Sequence, residues 1–305
     1  MKPLVSICCI TYNQEKYVEE TLKGFLIQKT SFPIEILIHD DASTDITAKI
    51  LRKYEKIDDR ISVIYQTENK YSQGKKPLIH YLFPKARGKY IALCEGDDYW
   101  TDSYKLQKQV DFLERNEKYS LVFSNAKVLK DKGISRGLKI INKSREFNGF
   151  EIIENWTIPT ASVLFRKDHL INNKFYESIF KQFLYGDIIL FLILAQKGKL
   201  YGMSDYMVTY RRHGEGALLS EKNNSVKAKN KMIKHHKLMS ICFNGKYKKL
   251  NYEYIANTYL GLFYETRNFQ NLWLYNKYLC KKDRKHFYSI NNLKINVAAT
   301  LNYKK

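Results

Sequence analysis

Between Leu4 and Val128, short apolar runs alternate four times with stretches whose apolar residues recur at helical spacing. That alternation predicts a parallel, doubly wound α/β sheet, because parallel neighbours need a helical crossover. Leu4 to Ile10 reads as the first buried strand, and Val18, Leu22, Phe25 and Leu26 mark the helix after it. Pro33 breaks the chain before a second strand, Ile34 to Ile38. Ile46, Ile50, Leu51 and Tyr54 form one face of the next helix, with Ser43 or Thr44 as its cap. Ile61 to Tyr65 is a third strand, Leu78 to Ala86 a short helix, and Tyr90 to Cys94 a fourth strand. Leu106, Val110 and Leu113 mark a further helix, and Leu121 to Val128 a further strand.

Ligands of open α/β sheets bind beyond the carboxyl ends of the strands. Three of those ends are polar: Thr11 to Glu15, Asp40-Asp41, and Glu95-Gly96-Asp97-Asp98. If the strands are neighbours, these clusters converge on one rim. Taken alone, the last cluster reads either as a solvated acidic turn or as carboxylates for a hard cation. Such a cation, Mg²⁺ or Mn²⁺, would in turn hold phosphate oxygens. GxGxxG and GxxxxGK[ST] are absent, which weakens dinucleotide and P-loop readings.

Further along, residues 130–145 are rich in Gly, Lys and Ser and read as a mobile loop beside the site. Trp156 to Ser162 precedes a strand at Val163 to Phe165. Tyr185-Gly186-Asp187 opens an apolar helix, Ile188 to Gln196, where Asp187 by itself could merely cap the helix. A last strand, Tyr206 to Tyr210, runs into Arg211-Arg212-His213. The composition then shifts, which divides the chain into a domain over 1–220 and a basic, Tyr-rich helical extension over 221–305. The formal net charge is +21, and residues 221–305 hold 18 Lys and Arg against 4 acids, so most of it sits in the extension. No RNA or DNA motif accompanies that charge. The extension reads either as helices with a solvated basic face or as a surface for an anionic membrane.

Five cysteines without CxxC spacing argue against a disulfide framework or a zinc site. Cys8, Cys9 and Cys94 lie in apolar runs and read as buried thiols, which suits a reducing cytoplasm. The first residues lead straight into a strand, so no signal peptide is expected. The apolar run near Ile188 to Ala195 is too short to span a bilayer.

Val5 to Tyr12 followed by Asn13, then Ile38-His39-Asp40-Asp41-Ala42-Ser43-Thr44-Asp45, then Glu95-Gly96-Asp97-Asp98, together resemble family 2 glycosyltransferases. The resemblance covers roughly residues 3 to 216. It implies a GT-A fold: a Rossmann-like α/β domain with a mixed, mainly parallel sheet flanked by helices, here with a C-terminal helical extension. It implies that Thr11, Tyr12, Asn13 and Glu15 frame the base and ribose of a nucleotide-sugar. One of Asp40 and Asp41 would accept a hydrogen bond from uracil N3–H, and Asn69 and Lys70 would line the same pocket. Glu95-Gly96-Asp97 stands where the family has Asp-x-Asp, with Glu95 replacing the first Asp. Asp97, Asp98 and His213 are the implied metal residues, for Mn²⁺ or Mg²⁺. Asp187 matches the catalytic base. His213 lies where some members bring a basic side chain to the diphosphate or metal, with Arg211 and Arg212 as alternatives for that charge. A QxxRW motif of processive synthases is absent, which favours single-sugar addition.

The expectation is thus an inverting, metal-dependent hexosyl- or N-acetylhexosaminyl-transferase in cell-surface polysaccharide (capsule or lipopolysaccharide) biosynthesis. It would take a UDP-sugar donor and a saccharide or lipid-linked acceptor. It would be cytoplasmic, peripheral on the inner membrane face through the extension, with no nucleic-acid partner. The rival expectation is a non-catalytic nucleotide-sugar-binding or scaffolding protein, motivated by Glu95.

Overall fold

Strand β1 (Val5–Thr11) is flanked in parallel by β2 (Ile34–Asp40) and β4 (Tyr90–Glu95), and β2 in turn pairs in parallel with β3 (Ile61–Tyr65). Val5, Ile7, Cys9, Ile36, Ile38, Ile91 and Ala92 are wholly buried, as expected for strands covered on both faces. The computed structural model describes residues 1–130, 133–136, 140–155, 158–170, 182–212 and 226–283. By their contacts the residues group into two compact units, Met1–Lys181 with Gly186–His213, and Gln182–Tyr185 with Gly214–Lys305.

The first unit holds the α/β sheet. Two strands beyond β4 are also parallel to each other: β6 (Tyr119–Lys130) and β10 (Lys199–Arg211). Between β4 and β6 lies a short strand, β9 (Leu164–Arg166), antiparallel to both, so β6 and β10 keep the direction of β4. The path is β3-β2-β1-β4-β9-β6-β10 and then β5 (Tyr99–Trp100), which is antiparallel to β10. Long parallel pairings joined by short antiparallel ones make the sheet mixed and mainly parallel.

Helices α1 (Val18–Leu26), α2 (Thr47–Glu55), α3 (Lys105–Arg115) and α5 (Gly186–Lys197) bury the expected residues Val18, Leu22, Phe25, Leu51, Tyr54, Leu106, Val110 and Leu113, and Ile188 to Leu194. A short α4 (Gly149–Asn155) packs on α5. The stretch expected as a short helix, from Leu78, is a π-helical turn, Leu78–Leu82, running into Phe83–Lys85.

Three expectations are corrected. Residues 130–145 are not one loop: β6 runs on to Lys130 and turns at Gly133, φ +108°, into β7 (Gly133–Arg136), and β8 (Arg145–Phe147) begins at the other end. Residues 131–132 and 137–139 lie outside the described residues. The last strand starts at Lys199, not Tyr206; polar Ser204 and Asp205 sit where the register shifts between Met203 and Tyr206, and so break the apolar alternation. Neither Ser43 nor Thr44 caps α2. The helix begins at Thr47, whose amide donates to Asp45 Oδ1 at 2.9 Å, and Ile46 is left 55% exposed.

Behind the acidic turn sits an unusual buried cation. Lys105 is wholly buried, with Nζ 4.1 Å from the centre of the Trp100 ring and 2.9 Å from Gln109 Oε1, to which it donates. Burial lowers its pKa from 10.5 to about 7. Between those values the unfolded chain holds the proton and the folded one does not. Stability therefore rises with pH across that window, and the full cost of burying the charge is present below pH 7. Lys105→Met removes this titration. Urea unfolding at a series of pH values from 7 to 10 is expected to show a flatter profile for the variant. A profile parallel to wild type would refute the assignment.

All five cysteines are free thiols, and burial pushes Cys8, Cys9 and Cys94 well above the usual thiol range. The second unit is helical where it is described: α6 (Val226–Ile241), α7 (Lys248–Thr266) and α8 (Phe269–Lys282). Ile233, Ile255, Phe263, Leu272 and Tyr275 form its core. Arg267, in the left-handed region at φ 53°, ends α7, and Asn268 caps α8 by accepting from the Gln270 amide. Among the described residues no helix is long and apolar enough to cross a membrane.

Candidate active site

Because β2, β1 and β4 are adjacent and parallel, their carboxyl ends lie side by side. Thr11 is opposite Asp40, and Ile10 is opposite Glu95. The three polar clusters do meet on one rim. They also hold each other in place. The Asn13 amide donates to Ser43 Oγ at 2.9 Å, and Asn13 Oδ1 accepts from the Thr44 amide at 2.8 Å. The Glu15 amide donates to Asp45 Oδ2 at 3.1 Å, while Glu15 Oε2 accepts from the Ile46 amide at 3.1 Å. Asn13 and Glu15 therefore tie the loop after β1 to the loop after β2, a task that sequence reasoning did not assign them. Tyr12, just before Asn13, is 45% exposed and open to a ligand. Thr11 is 3% exposed, beneath the rim.

Asp40 and Asp41 are both buried. Burial raises the Asp40 pKa, opposed by hydrogen bonds from Ser43 and Thr11. Asp41 accepts from the Lys70 amide at 2.8 Å and the Tyr71 amide at 3.0 Å, so it anchors the loop after β3. Asn69 starts that loop's turn, accepting from the Ser72 amide at 2.7 Å. Between the acids and Ser43 stands Ala42, in the left-handed region at φ 63°. That conformation costs an L-residue about 1–2 kcal/mol. Ala42→Gly is expected to stabilise the fold by about 0.5–1 kcal/mol, after allowing for glycine's larger unfolded-state entropy. Thermal unfolding checks this; a lower midpoint would contradict it.

The acidic turn is held from three sides. Gly96 packs so tightly that a Cβ there would lie 2.5 Å from Thr11 Cγ2 and would overlap Gln14 Oε1. From α1, the Thr21 hydroxyl shares its proton between Gly96 O at 2.8 Å and Asp98 O at 2.6 Å. Gly24 lets the same helix approach Trp100, where a Cβ would come 2.8 Å from the backbone nitrogen. From β10, the Arg211 amide donates to Asp98 Oδ1 at 2.8 Å and the Arg211 guanidinium to Asp97 O at 2.6 Å. That guanidinium also pairs with Glu20 and lies over the Tyr17 and Tyr99 rings.

These contacts sort the expected residues. Arg211 is buried and committed to the turn, whereas Arg212 is exposed. Asp98, expected at the metal, is 3% exposed and turned to the Arg211 amide beneath the rim. Asp97 and Glu95 keep part of their surface open. His213 lies outside the described residues.

Asp187 stands in the first turn of α5, 92 residues beyond Glu95 in sequence, yet the two carboxyls are close enough to repel. Burial raises the Asp187 pKa, opposed by hydrogen bonds from the Ile188 amide and the Thr160 hydroxyl. Thr160 was not foreseen. It belongs to a helical turn, Thr160–Ser162, fixed by Trp100 Nε1 donating to Ala161 O at 2.8 Å and Gln109 Nε2 to Ser162 O at 2.8 Å. Trp100 thus links the acidic turn to the turn that carries Thr160.

Charge accumulates on this rim. Burial, then Asp97 and Asp187, push Glu95 far above the carboxylate range. Burial, then Glu95 and Asp97, do the same to Asp98. Burial and these three acids raise the Tyr210 hydroxyl, against the opposing charge of Arg212. A divalent cation would reverse these shifts, and the all-oxygen donor set suits Mg²⁺ or Mn²⁺. Among the described residues no three His, Cys, Asp or Glu side chains form a cage for an ion. Such sites commonly use one or two carboxylates and complete the shell with substrate phosphates and water.

Comparison with known proteins agrees with this architecture. The sequence model of Glycosyl transferase family 2 matches residues 6–180, and the chain belongs to that family. An uncharacterized protein of Mycobacterium tuberculosis is 34% identical over 215 residues, 70% of this chain; that match spans 60% of the mycobacterial protein's length. TuaG of Bacillus subtilis, provisionally named as a teichuronic acid biosynthesis glycosyltransferase, is 32% identical over 213 residues, 69% of this chain and 79% of TuaG. The crystal structure of Staphylococcus aureus TarS 1–349 in complex with UDP-GlcNAc superposes with a TM-score of 0.62 at 19% identity. It covers 92% of this chain and 80% of that one, a likeness of fold.

Proposed function

We propose that the chain is an inverting glycosyltransferase. It moves one hexosyl or N-acetylhexosaminyl unit from a UDP-sugar to a hydroxyl of a saccharide or lipid-linked saccharide, in cell-surface polysaccharide biosynthesis. The observation that supports this reading is the convergence of the polar ends of β1, β2 and β4 on one rim, with the Asp187 carboxyl within electrostatic reach of Glu95. Family membership, the naming of TuaG and the UDP-GlcNAc bound to TarS support it.

On this reading the base lies over Tyr12 and the loop that Asp41 anchors. A carboxylate has about four lone-pair sites, so Asp40 or Asp41 can still accept from uracil N3–H. Asp97, with its carboxylate on the rim, would hold Mn²⁺ or Mg²⁺, which supplies Lewis-acid stabilisation of the leaving diphosphate. Arg212 adds positive charge there. Asp98 keeps the turn in place through the Arg211 amide. The acceptor hydroxyl is too weak an acid to attack unaided. Asp187 takes its proton as it adds to C1, and displacement from the opposite side inverts that centre. A raised pKa makes Asp187 the stronger base. The site works at a cytoplasmic membrane face, where lipid-linked acceptors are presented.

UDP release from a panel of UDP-sugars with Mn²⁺ tests the proposal. Hydrolysis of at least one donor, abolished by chelation, is expected. Donor binding without any turnover, in the presence of extended acceptors, would instead support a non-catalytic binding protein.

A further inference from the structure

The helical unit carries 12 Lys and Arg against 3 acids within residues 226–283. Its acids are largely spent. Glu265 pairs with Lys229 at 2.5 Å and Glu253 with Lys282 at 2.6 Å. Among the described residues no carboxylate pairs with Lys234, Lys237 or Lys281. Those three line one cavity of about 340 Å³ between α6, α7 and α8, together with Ser240, Tyr252 and Tyr278.

Two of the lysines are drawn together there. Lys237 Nζ from α6 and Lys281 Nζ from α8 stand 5.9 and 5.1 Å from the centre of the same Tyr278 ring. Lys281 also lies 5.5 Å from the centre of Tyr252, and Lys237 donates to Tyr259 Oη at 3.2 Å. Aromatic faces and a phenol orient these ammonium groups but do not neutralise them. Convergent cations without a counter-ion repel, and an entering anion relieves that repulsion. Leu238 forms part of the wall, and Ile241, also at the cavity, is 73% exposed, an apolar edge beside the cationic seat. A free polyanion has no use for such an edge; a phosphate carried on a hydrocarbon chain does.

We propose that this cavity seats a lipid-borne phosphate, with Lys237 and Lys281 on the phosphate and Ile241 toward the hydrocarbon. The proposal rests on the membrane-facing part of the function proposed above, and it assigns that contact to one site instead of to diffuse basic charge.

Co-sedimentation of the full chain with phosphatidylcholine vesicles, with and without phosphatidylglycerol, tests it. Wild type is expected to sediment only with the anionic vesicles. Lys237→Gln with Lys281→Gln is expected to weaken that partition at least about tenfold, in line with roughly 1 kcal/mol per lysine at an anionic surface. Lys227→Gln with Lys249→Gln removes the same charge outside the cavity and is expected to cost clearly less. Equal losses from the two pairs would overturn the site in favour of diffuse charge. Inorganic pyrophosphate that binds the cavity, while the Lys237/Lys281 variant keeps its vesicle partition, would overturn the lipid source. UDP-sugar thermal shifts on the same preparations are expected to be unchanged by either pair. Failure of the transferase reading would therefore show separately, as the absence of any donor shift.

Discussion

Asp187→Asn is expected to lower sugar transfer by about 10²–10⁴-fold, the usual contribution of a positioned general base. The change is nearly isosteric, and Asn Oδ1 can still accept from the Thr160 hydroxyl, so the start of α5 should hold its shape. What is lost is the only function an amide cannot perform there, acceptance of the acceptor's proton. The donor touches Asp40, Asp41, Asp97 and Arg212 on this account, none of which the substitution alters, so its dissociation constant should change little. The pH profile provides a second reading. Burial raises the Asp187 pKa, so activity should fall on the acid side as the base becomes protonated, beginning above the ordinary aspartate range. Asp187→Asn should lose that acid limb together with the rate. Full transfer by the variant would refute the assignment.

Asp97→Ala should instead abolish cation-dependent donor binding, at least about tenfold in affinity, with little loss of stability. Its backbone carbonyl, which receives the Arg211 guanidinium, remains in the variant. Asp98→Ala is the informative contrast. Asp98 is 3% exposed and accepts from the buried Arg211 amide, so its removal leaves a backbone donor unsatisfied. That costs about 1–3 kcal/mol of stability. Two neighbouring aspartates are thus expected to fail differently, one in the titration of donor with Mn²⁺, the other in denaturant unfolding. If Asp98→Ala kept full stability and lost metal dependence, the two roles would be exchanged.

Much of this was legible because buried parallel strands are continuous apolar runs, and a run that ends in acids marks both a strand and its carboxyl end. β1, β2, β3 and β4 were read within a few residues for that reason. β10 was truncated because Ser204 and Asp205 occupy its irregular register, and β7 escaped because its Gly-Ile-Ser-Arg carries no apolar alternation. The rim acids were found as residue types. Their division of labour was not legible, because it depends on which way each side chain turns. Asp97 and Asp98 are neighbours in sequence, yet only Asp98 is committed to the Arg211 amide. Arg211 and Arg212 cannot be told apart in the sequence either; the pleat sends one into the Tyr17–Tyr99 sandwich and leaves the other exposed. Thr160 gave no cue at all, since its partner lies 27 positions on and its placement depends on Trp100 and Gln109. Thr21 and Gly24 did leave a trace, a polar residue and a glycine on the otherwise apolar buried face of α1.

The most direct measurement is thermal unfolding of the full chain with UDP-, GDP- and dTDP-sugars, each with and without Mn²⁺. A donor at a hundred times its dissociation constant stabilises the folded state by about 2.7 kcal/mol. A raised midpoint is therefore expected with a UDP-sugar and Mn²⁺ together, lost in Asp97→Ala and kept in Asp187→Asn. No shift with any nucleotide-sugar, or an equal shift in Asp97→Ala, would contradict the donor site assigned to this rim.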